Sequence, residues 1–283
     1  QGFEFMLYST PVQTKDFTFD LNINLSRNVS KVKELADGVD YLFFNGDANF
    51  PINVGTRVGH RLGEIYAKNL YKRDENGNMI VNKQGRPTKV SGEDAFQYTL
   101  DHPIGNIEPD LLMSVSPSFT YKGFTLSALF DMKFGGDIVS VSEAMATSTG
   151  LAARTANRGN AENGWKIVAP GVTADGTVNS TAMGAQRYYT SMSGMAEEFV
   201  YDASFIKLKE LSLGYSFPKS ILKKTPLTSL NVAFVARNLA YLMKHTPGTS
   251  PEGGYDTSMF SQAIDYMSVP YTRTFGLSIN LGF

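Results

Sequence analysis

Residues 16–27 alternate strictly between apolar and polar side chains. From Phe17 to Leu25 every odd-numbered position is apolar, and the even-numbered positions are threonine, aspartate or asparagine. Successive side chains of a β-strand point to opposite faces of the sheet, whereas a helix would scatter this pattern around its surface. The segment is therefore predicted to be a strand with one apolar face and one polar face.

Six further segments carry a related pattern, and the gaps between the segments alternate between short and long. The predicted strands cover residues 2–9, 16–27, 111–121, 124–134, 205–217, 229–241 and 271–283, with a bulge near Lys209. An up-and-down outer-membrane barrel has this organisation, with short periplasmic turns and long extracellular loops. We therefore predict an all-β fold, an antiparallel transmembrane β-barrel.

The number of predicted strands bears on how such a barrel closes. Seven is odd, whereas single-chain bacterial barrels normally have an even number, and an open sheet edge cannot face lipid. We therefore expect the C-terminal portion of a larger barrel, with neighbouring strands upstream of Gln1. The alternative is a self-contained small barrel with an eighth strand within residues 40–66. No initiator Met, basic segment or apolar segment opens the chain, so any targeting segment is expected outside this sequence.

Aromatic residues are placed as two interface belts would require. Three tyrosines, Tyr201, Tyr241 and Tyr271, lie at the strand ends next to the long gaps. The ends next to the short gaps hold Phe17, Phe19, Phe119, Tyr121, Phe124, Tyr215, Phe217 and Phe283. Aromatic girdles at both membrane interfaces are typical of barrels, although these residue types also favour strands in general.

Composition excludes several classes of protein. Lys and Arg number 26 against 27 Asp and Glu, so the chain lacks the basic footprint of a nucleic-acid binder. It has no cysteine, which excludes disulfides and thiolate chemistry. No apolar run approaches the ~18 residues that a transmembrane helix needs.

Few residues form a pattern with known chemistry. The three histidines, His60, His102 and His245, are far apart and belong to no zinc or triad motif. They are predicted to be loop residues. We therefore expect no catalytic residue, no metal, no cofactor and no enzymatic activity.

Two acidic segments superficially resemble calcium loops. Around Asp74–Gly77, a calcium-loop register would place Lys72 and Lys83 at ligand positions, so a hairpin with a type I′ turn at Asn76–Gly77 is the better interpretation. Glu252 and Asp256 flank Gly253 and Gly254, and a solvated loop is the simpler interpretation there.

The polar positions of the alternating strands are candidates for the wall of an aqueous lumen. They carry both signs of charge, which suits hydrated substrates and contacts with a plug better than ion selection. The lumen-facing candidates are Asp20, Asn22, Asn24, Asp131, Lys133, Asn231 and Arg237.

Several segments resemble the C-terminal region of the SusC/RagA family of TonB-linked outer-membrane proteins of Bacteroidetes. The most specific is Asp202–Pro218, DASFIKLKELSLGYSFP, which is similar to a family strand motif. Further matches follow in order along the chain: VGHRLGEIY at 58–66, DENG at 74–77, IGNIEP at 104–109, FGGD at 134–137 and RTFGLSINLGF at 273–283. A departure is Ser250-Pro251-Glu252, where the family often has Asp-Pro-Glu.

This resemblance implies a barrel of about 22 strands with long extracellular loops, located in the outer membrane of a Gram-negative bacterium. The plug domain and the TonB box are not in this chain. The implied partners are the remainder of the barrel and plug, outer-membrane lipid, a SusD-like surface lipoprotein acting as a lid, and TonB–ExbB–ExbD, which would act through the plug. The implied function is import of oligosaccharides or peptides; a passive pore or structural barrel is the alternative.

The last strand also resembles the signal that the barrel-assembly machinery reads. An apolar terminal strand with an unpaired edge offers a template for strand addition. The residues assigned to this signal are Tyr271, Phe275, Leu277, Ile279, Leu281 and Phe283.

Overall fold

The structure is a computed structural model that describes residues 1–45, 52–254 and 261–283. The strands are β1 (Gly2–Gln13), β2 (Phe17–Asn28), β3 (Tyr41–Asn45), β4 (Ile52–Arg57), β5 (Glu64–Ala67), β6 (Asn69–Tyr71), β7 (Lys89–Ser91), β8 (Gly105–Asn106), β9 (Leu111–Tyr121), β10 (Phe124–Phe134), β11 (Asp137–Ser140), β12 (Lys166–Val168), β13 (Ala182–Gly184), β14 (Val200–Asp202), β15 (Phe205–Ser216), β16 (Ser229–Lys244), β17 (Ile264–Asp265) and β18 (Thr274–Gly282). The helices are α1 (Glu93–Asp101), α2 (Val141–Thr149), α3 (Ala185–Met192) and α4 (Lys219–Leu222), with 3-10 turns at Ala153–Ala156, Ala196–Glu198 and Ser261–Ala263.

The seven long strands form one antiparallel sheet, called here the wall sheet. Its order is β1-β2-β9-β10-β15-β16-β18, so the strands are adjacent in the order in which the chain reaches them. They occupy the segments in which the alternating pattern predicted strands. The first strand is longer than predicted because pairing resumes at Val12 after an irregularity that contains Pro11, which has no N–H to donate. The last strand begins only at Thr274.

Short connections join the wall strands at one end. The hairpin between β9 and β10 turns at Lys122 and Gly123, with φ values of 48° and 89°. Two consecutive positive φ values are the signature of a type I′ turn, whose twist matches that of the flanking strands. A Cβ atom on Gly123 would lie 2.9 Å from the carbonyl oxygen of Ser216, so the turn also requires a residue without a side chain.

The predicted bulge at Lys209 is confirmed. In the pairing of β10 with β15, Leu129 lies opposite Glu210 while Phe130 lies opposite Leu208, which leaves Lys209 as the extra residue. A bulge moves one residue out of the alternation, so the apolar positions of β15 change parity across it. This explains why Leu208 and Leu211 lie on the same face.

The long connections pack together at the other end of the wall sheet, in a part called here the loop layer. It comprises residues 29–110, 135–204 and 245–273, apart from the undescribed segments. It has a hydrophobic core of its own, in which Val54, Ile65, Val139 and Phe199 have no exposed surface. Strands β3, β4, β5 and β8 form a separate four-stranded sheet inside it. An eighth wall strand within residues 40–66 is therefore wrong as far as the structure describes that segment.

The Asp74–Gly77 segment forms the predicted hairpin, but the predicted turn type is wrong. Gly77 N–H donates to the Asp74 carbonyl at 3.0 Å, and Gly77 has a φ of 82°. Asn76 has no positive φ, so the type I′ condition is not met. The Asp74 carboxylate instead accepts the backbone N–H groups of Asn76 and Asn78 at 2.9 and 2.8 Å, which stabilises a turn that ends in the glycine.

Among the described residues, none of the helices combines the length and the apolar character that a membrane-spanning helix needs.

Candidate functional site

One face of the wall sheet is polar, and the strand register decides which residues belong to it. Asn24 lies opposite Ser114, which in turn lies opposite Asp131. Directly opposed residues in an antiparallel pair share a face, so polar residues of successive strands line up side by side. The same reasoning puts all seven lumen-facing candidates on this one face: Asp20, Asn22, Asn24, Asp131, Lys133, Asn231 and Arg237.

Charged residues on the polar face are paired across strands. Lys209 Nζ lies 2.6 Å from a carboxylate oxygen of Asp131, and Arg237 Nε lies 2.7 Å from one of Glu210. Exposed pairs of this kind contribute only ~0–1 kcal/mol each to stability. These pairs place both signs of charge side by side on the polar face.

The opposite face of the wall sheet is apolar and exposed. At the edge strand β18, Phe275, Leu277, Ile279 and Leu281 are 60, 72, 58 and 51 % exposed. Exposure of so many large apolar side chains on one surface marks an interaction site or a membrane-facing surface. Four of the six residues assigned to the assembly signal thus share one strand and one face.

The other two residues, Tyr271 and Phe283, lie outside β18. The Tyr271 hydroxyl donates to the backbone carbonyl of Glu252 at 3.3 Å, so this residue belongs to the loop layer. The predicted second aromatic belt is wrong. Tyr201 and Tyr241 engage Arg154 and Glu252 through their hydroxyls and do not line the apolar face.

A buried ion pair joins the loop layer to the polar face. Lys207 is 3 % exposed, and its Nζ lies 2.5 Å from a carboxylate oxygen of Glu252. The same ammonium lies 5.1 Å and 4.9 Å from the ring centroids of Tyr241 and Tyr271, and the Tyr241 hydroxyl donates to Glu252. The opposite charges of the ammonium and the carboxylate neutralise each other in this buried position. These contacts hold the segment around Glu252 against β15 and β16.

A second charged cluster organises the loop layer around Arg154. Its guanidinium donates to Glu198 at 3.1 Å and to the Tyr201 hydroxyl at 2.6 Å, and it lies 5.1 Å from the Phe199 ring centroid. Burial raises the pKa of Tyr201 to about 12, although the nearby Arg154 charge acts in the opposite direction. Burial also raises the pKa of Glu143, whose carboxylate lies 3.6 Å from Arg154 Nε.

The histidines and the acidic segments do not form a metal site in the part of the chain that the structure describes. No group of three or more His, Cys, Asp or Glu side chains there is arranged to hold a metal ion. His60 lies 3.2 Å from Glu64, and His245 lies 3.8 Å from Asp202. The Glu252 carboxylate is engaged by Lys207, while Asp256 lies outside the described residues.

Two cavities open at the loop end of the polar face. The larger, about 740 Å³, lies among Tyr241, Tyr271 and the backbone of Gly253. The smaller, about 460 Å³, is lined by Lys133, Phe205 and Glu252. The segment 250–253 stands between them, because Ser250 and Gly253 line the larger cavity while Pro251 and Glu252 line the smaller.

The sequence reasoning missed Lys207 and Arg154 as organising residues. Lys207 and the exposed Lys209, two residues later, both lie at polar positions of one alternating strand. The position of Lys207 at the loop end of the strand, next to the bulge, was the available signal. Arg154 lies in a loop without periodicity, so its three acidic and phenolic partners could not be inferred.

Comparison with known proteins identifies relatives along the whole chain. No protein-family model matches the sequence. TonB-dependent receptor P3 of Formosa agariphila is 28% identical over 100% of the chain and 28% of its own length. TonB-dependent receptor SusC of Bacteroides thetaiotaomicron is 27% identical over 100% of the chain and 26% of its own length.

The chain is homologous to these two TonB-dependent receptors. The fold agrees, since a solved structure of the RagAB peptide importer in an open-open state superposes with a TM-score of 0.64. That match has 20% sequence identity and covers 100% of the chain and 28% of the importer chain. The chain thus spans between a quarter and a third of the length of these relatives, and it shares the fold of the matching part of that importer chain.

Proposed function

We propose that the chain forms part of the barrel wall of an outer-membrane importer that takes up nutrients, either oligosaccharides or peptides. The observation that carries this proposal is the division of the wall sheet into an apolar face and a mainly polar face. Such a sheet suits lipid on one side and an aqueous lumen on the other. The proposed location is the outer membrane of a Gram-negative bacterium of the Bacteroidetes.

The proposed importer depends on parts that these 283 residues do not supply. The edges of the wall sheet, β1 and β18, would pair with further strands of a barrel of about 22 strands, and a plug domain with a TonB box would occupy its lumen. TonB–ExbB–ExbD would drive the plug, and a SusD-like lipoprotein would cover the loop layer. Homology to SusC-like receptors supports this assembly.

Ligand and TonB would act on such an assembly by binding its conformations unequally, since only differential binding shifts a conformational equilibrium. The wall sheet would be the rigid frame. The polar residues of its inner face, such as Asn24 and Arg237, would contact hydrated substrate and plug. No step of this mechanism requires a catalytic residue or a cofactor.

An uptake experiment separates active import from the alternative, a passive pore. Cells carrying the complete protein should take up labelled oligosaccharide or peptide only while TonB is present and the inner membrane is energised. Collapse of the proton-motive force with an uncoupler should abolish uptake. Uptake that continues without TonB, together with steady single-channel conductance in planar bilayers, would contradict import and support the pore. A complete polypeptide without a plug or TonB-interacting segment would contradict it too.

A further inference from the structure

The smaller cavity has a floor made from one row of residues across four strands. Ser26 on β2 lies opposite Leu112 on β9, Leu112 lies opposite Lys133 on β10, and Lys133 lies opposite Phe205 on β15. The loop layer supplies the roof through Pro109 and Pro251. At about 460 Å³, the cavity is large enough for a small ligand or for one end of a larger one.

Lys133 carries the positive charge of this floor. Its neighbours in the row, Leu112 and Phe205, are apolar and offer no counter-charge. The acid two positions earlier on the same strand, Asp131, is bound to Lys209 at 2.6 Å. Within the described residues, the Lys133 ammonium has neither an ion pair nor a hydrogen bond.

The acids in the roof are already engaged by other groups. Glu252 is bound to Lys207 at 2.5 Å. Glu108 accepts a hydrogen bond from the Ser30 hydroxyl at 2.5 Å and lies 3.9 Å from Arg61 Nε. The cavity therefore presents one ammonium whose charge no lining acid is placed to neutralise.

Two further acids act on Lys133 from beyond ion-pair distance, and both have other partners. Asp137 accepts the backbone N–H of Asn106 at 2.8 Å, and Asp202 accepts the backbone N–H of Ser204 at 2.8 Å. They supply a negative field without direct contact. An ammonium partly removed from water without a direct partner is costly, and a carboxylate in the cavity would relieve that cost through a charge-assisted hydrogen bond.

We propose that this cavity binds the carboxylate of a ligand, with the Lys133 ammonium as the recognising group. Leu112, Phe205 and Pro251 would pack against the apolar part of the ligand next to that carboxylate. The proposal rests on the proposed import function and narrows its substrates to acidic ones. Two sources share this chemistry: the C-terminus of a peptide and the carboxylate of a uronic acid.

Matched probe pairs test the proposal on the complete protein purified in detergent. One pair is N-acetyl-tetraalanine with a free carboxylate and the same peptide as a C-terminal amide. The other pair is digalacturonate and its methyl ester. Binding is measured by calorimetry at low salt. We expect one of the two carboxylates to bind about tenfold more tightly than its neutral partner, a free-energy difference of about 1.4 kcal/mol. The pair that shows the preference identifies the source.

Substitutions at two lysines test whether Lys133 is the residue that causes the preference for the carboxylate probe. Lys133→Gln should abolish the difference in affinity between the carboxylate and its neutral partner, while Lys133→Arg should retain that difference. The matched control is Lys244→Gln, which removes the same charge from the next position of the row, opposite Phe205, where Lys244 lines the larger cavity. That variant should keep the preference.

Other results would overturn the proposal. Equal binding of both members of each pair, or no binding of any probe at millimolar concentration, would show that Lys133 recognises no carboxylate. Lower thermal stability of Lys133→Gln with unchanged probe preference would show that the ammonium has a structural partner elsewhere in the protein. TonB-dependent uptake of a neutral nutrient in those cases would leave the import function standing, whereas loss of TonB dependence would contradict that function instead.

Discussion

The wall sheet and the loop layer differ in where their apolar side chains lie. In the loop layer, large apolar side chains pack on each other, and Phe199 and Ile65 have no exposed surface. In the wall sheet the apolar side chains of one face remain exposed, as Phe275 and Leu277 show at 60 and 72 %. The loop layer therefore carries its own core, whereas the exposed apolar face of the wall sheet is available for contact with an apolar surface outside the chain.

The largest effect is expected from truncating the core of the loop layer. Phe199→Ala removes a fully buried ring and leaves a cavity, which should destabilise the loop layer by about 3–5 kcal/mol. The ring also lies against Arg154, so part of the charged cluster should loosen with it. Hydrogen exchange of residues 137–202 in the complete protein measures the effect.

Phe275→Ala is the matched control, because the same truncation on the exposed face leaves no cavity in packed protein. Its loop layer should exchange at the original rate. Equal protection in the two variants would contradict the division into a packed layer and an externally solvated sheet.

A smaller effect is expected at the contact between the two regions. Lys207→Met leaves the Glu252 carboxylate without its ammonium in a partly buried site, which should destabilise the segment 245–254 by about 3 kcal/mol. Limited proteolysis of that segment reports the loss. The double variant Lys207→Met with Glu252→Gln should recover most of the protection. A double variant as unstable as the single one would show that the pair does not hold the segment.

The two faces of β18 offer a comparison between adjacent residues. Leu277→Arg places a charge on the apolar face and should cost about 2–4 kcal/mol if that position lies near the bilayer midplane. Ser278→Arg places the same charge on the polar face and should be nearly neutral. The yield of folded, heat-modifiable barrel in the outer membrane measures both. Equal yields would remove the distinction between the faces.

The smallest expected effect is a loss of stability of the loop layer at alkaline pH, caused by Tyr201. The folded protein keeps the Tyr201 proton up to a pKa of about 12, whereas an exposed tyrosine loses it near 10. Between these values the unfolded state binds fewer protons, so stability falls as pH rises through this window. Tyr201→Phe should reduce the fall in thermal stability between pH 10 and 12, and the remaining fall is expected from other buried tyrosines such as Tyr66 and Tyr71, whose pKa values burial also raises. If thermal stability fell with pH as steeply in the variant as in the original protein, groups other than Tyr201 would be responsible.

The sequence predicted the wall sheet well because period two is a local signal. The polar positions Asp20 to Asn24 and the bulge at Lys209 could be read from residues adjacent in the chain. Each wall strand pairs with the next wall strand along the chain. The alternation of short and long gaps in the sequence had predicted this up-and-down order.

The loop layer and the ion pair could not be predicted in the same way. The Lys207–Glu252 contact joins residues 45 positions apart, and its partner segment has no periodicity. Tyr271 continues the alternation of β18 in sequence, yet it lies before the strand and contacts Glu252. The turn at Gly77 differs from the prediction because the Asp74 side chain, and not the Asn-Gly pair alone, satisfies the backbone N–H groups. Long-range contacts of this kind leave little trace in the pattern of one chain.

Accessibility of single cysteines on β18 tests the central claim, that the two faces of the wall sheet meet different solvents. These 283 residues contain no cysteine. Once any cysteine elsewhere in the complete protein has been replaced, spin labels can be attached one at a time at Phe275, Leu277, Ser278, Ile279 and Asn280 in lipid vesicles. Positions on the apolar face should collide preferentially with oxygen, which dissolves in lipid, and Ser278 and Asn280 should collide with a water-soluble nickel chelate. Accessibility to the two reagents that does not alternate along the strand would contradict a wall with lipid on one side and water on the other.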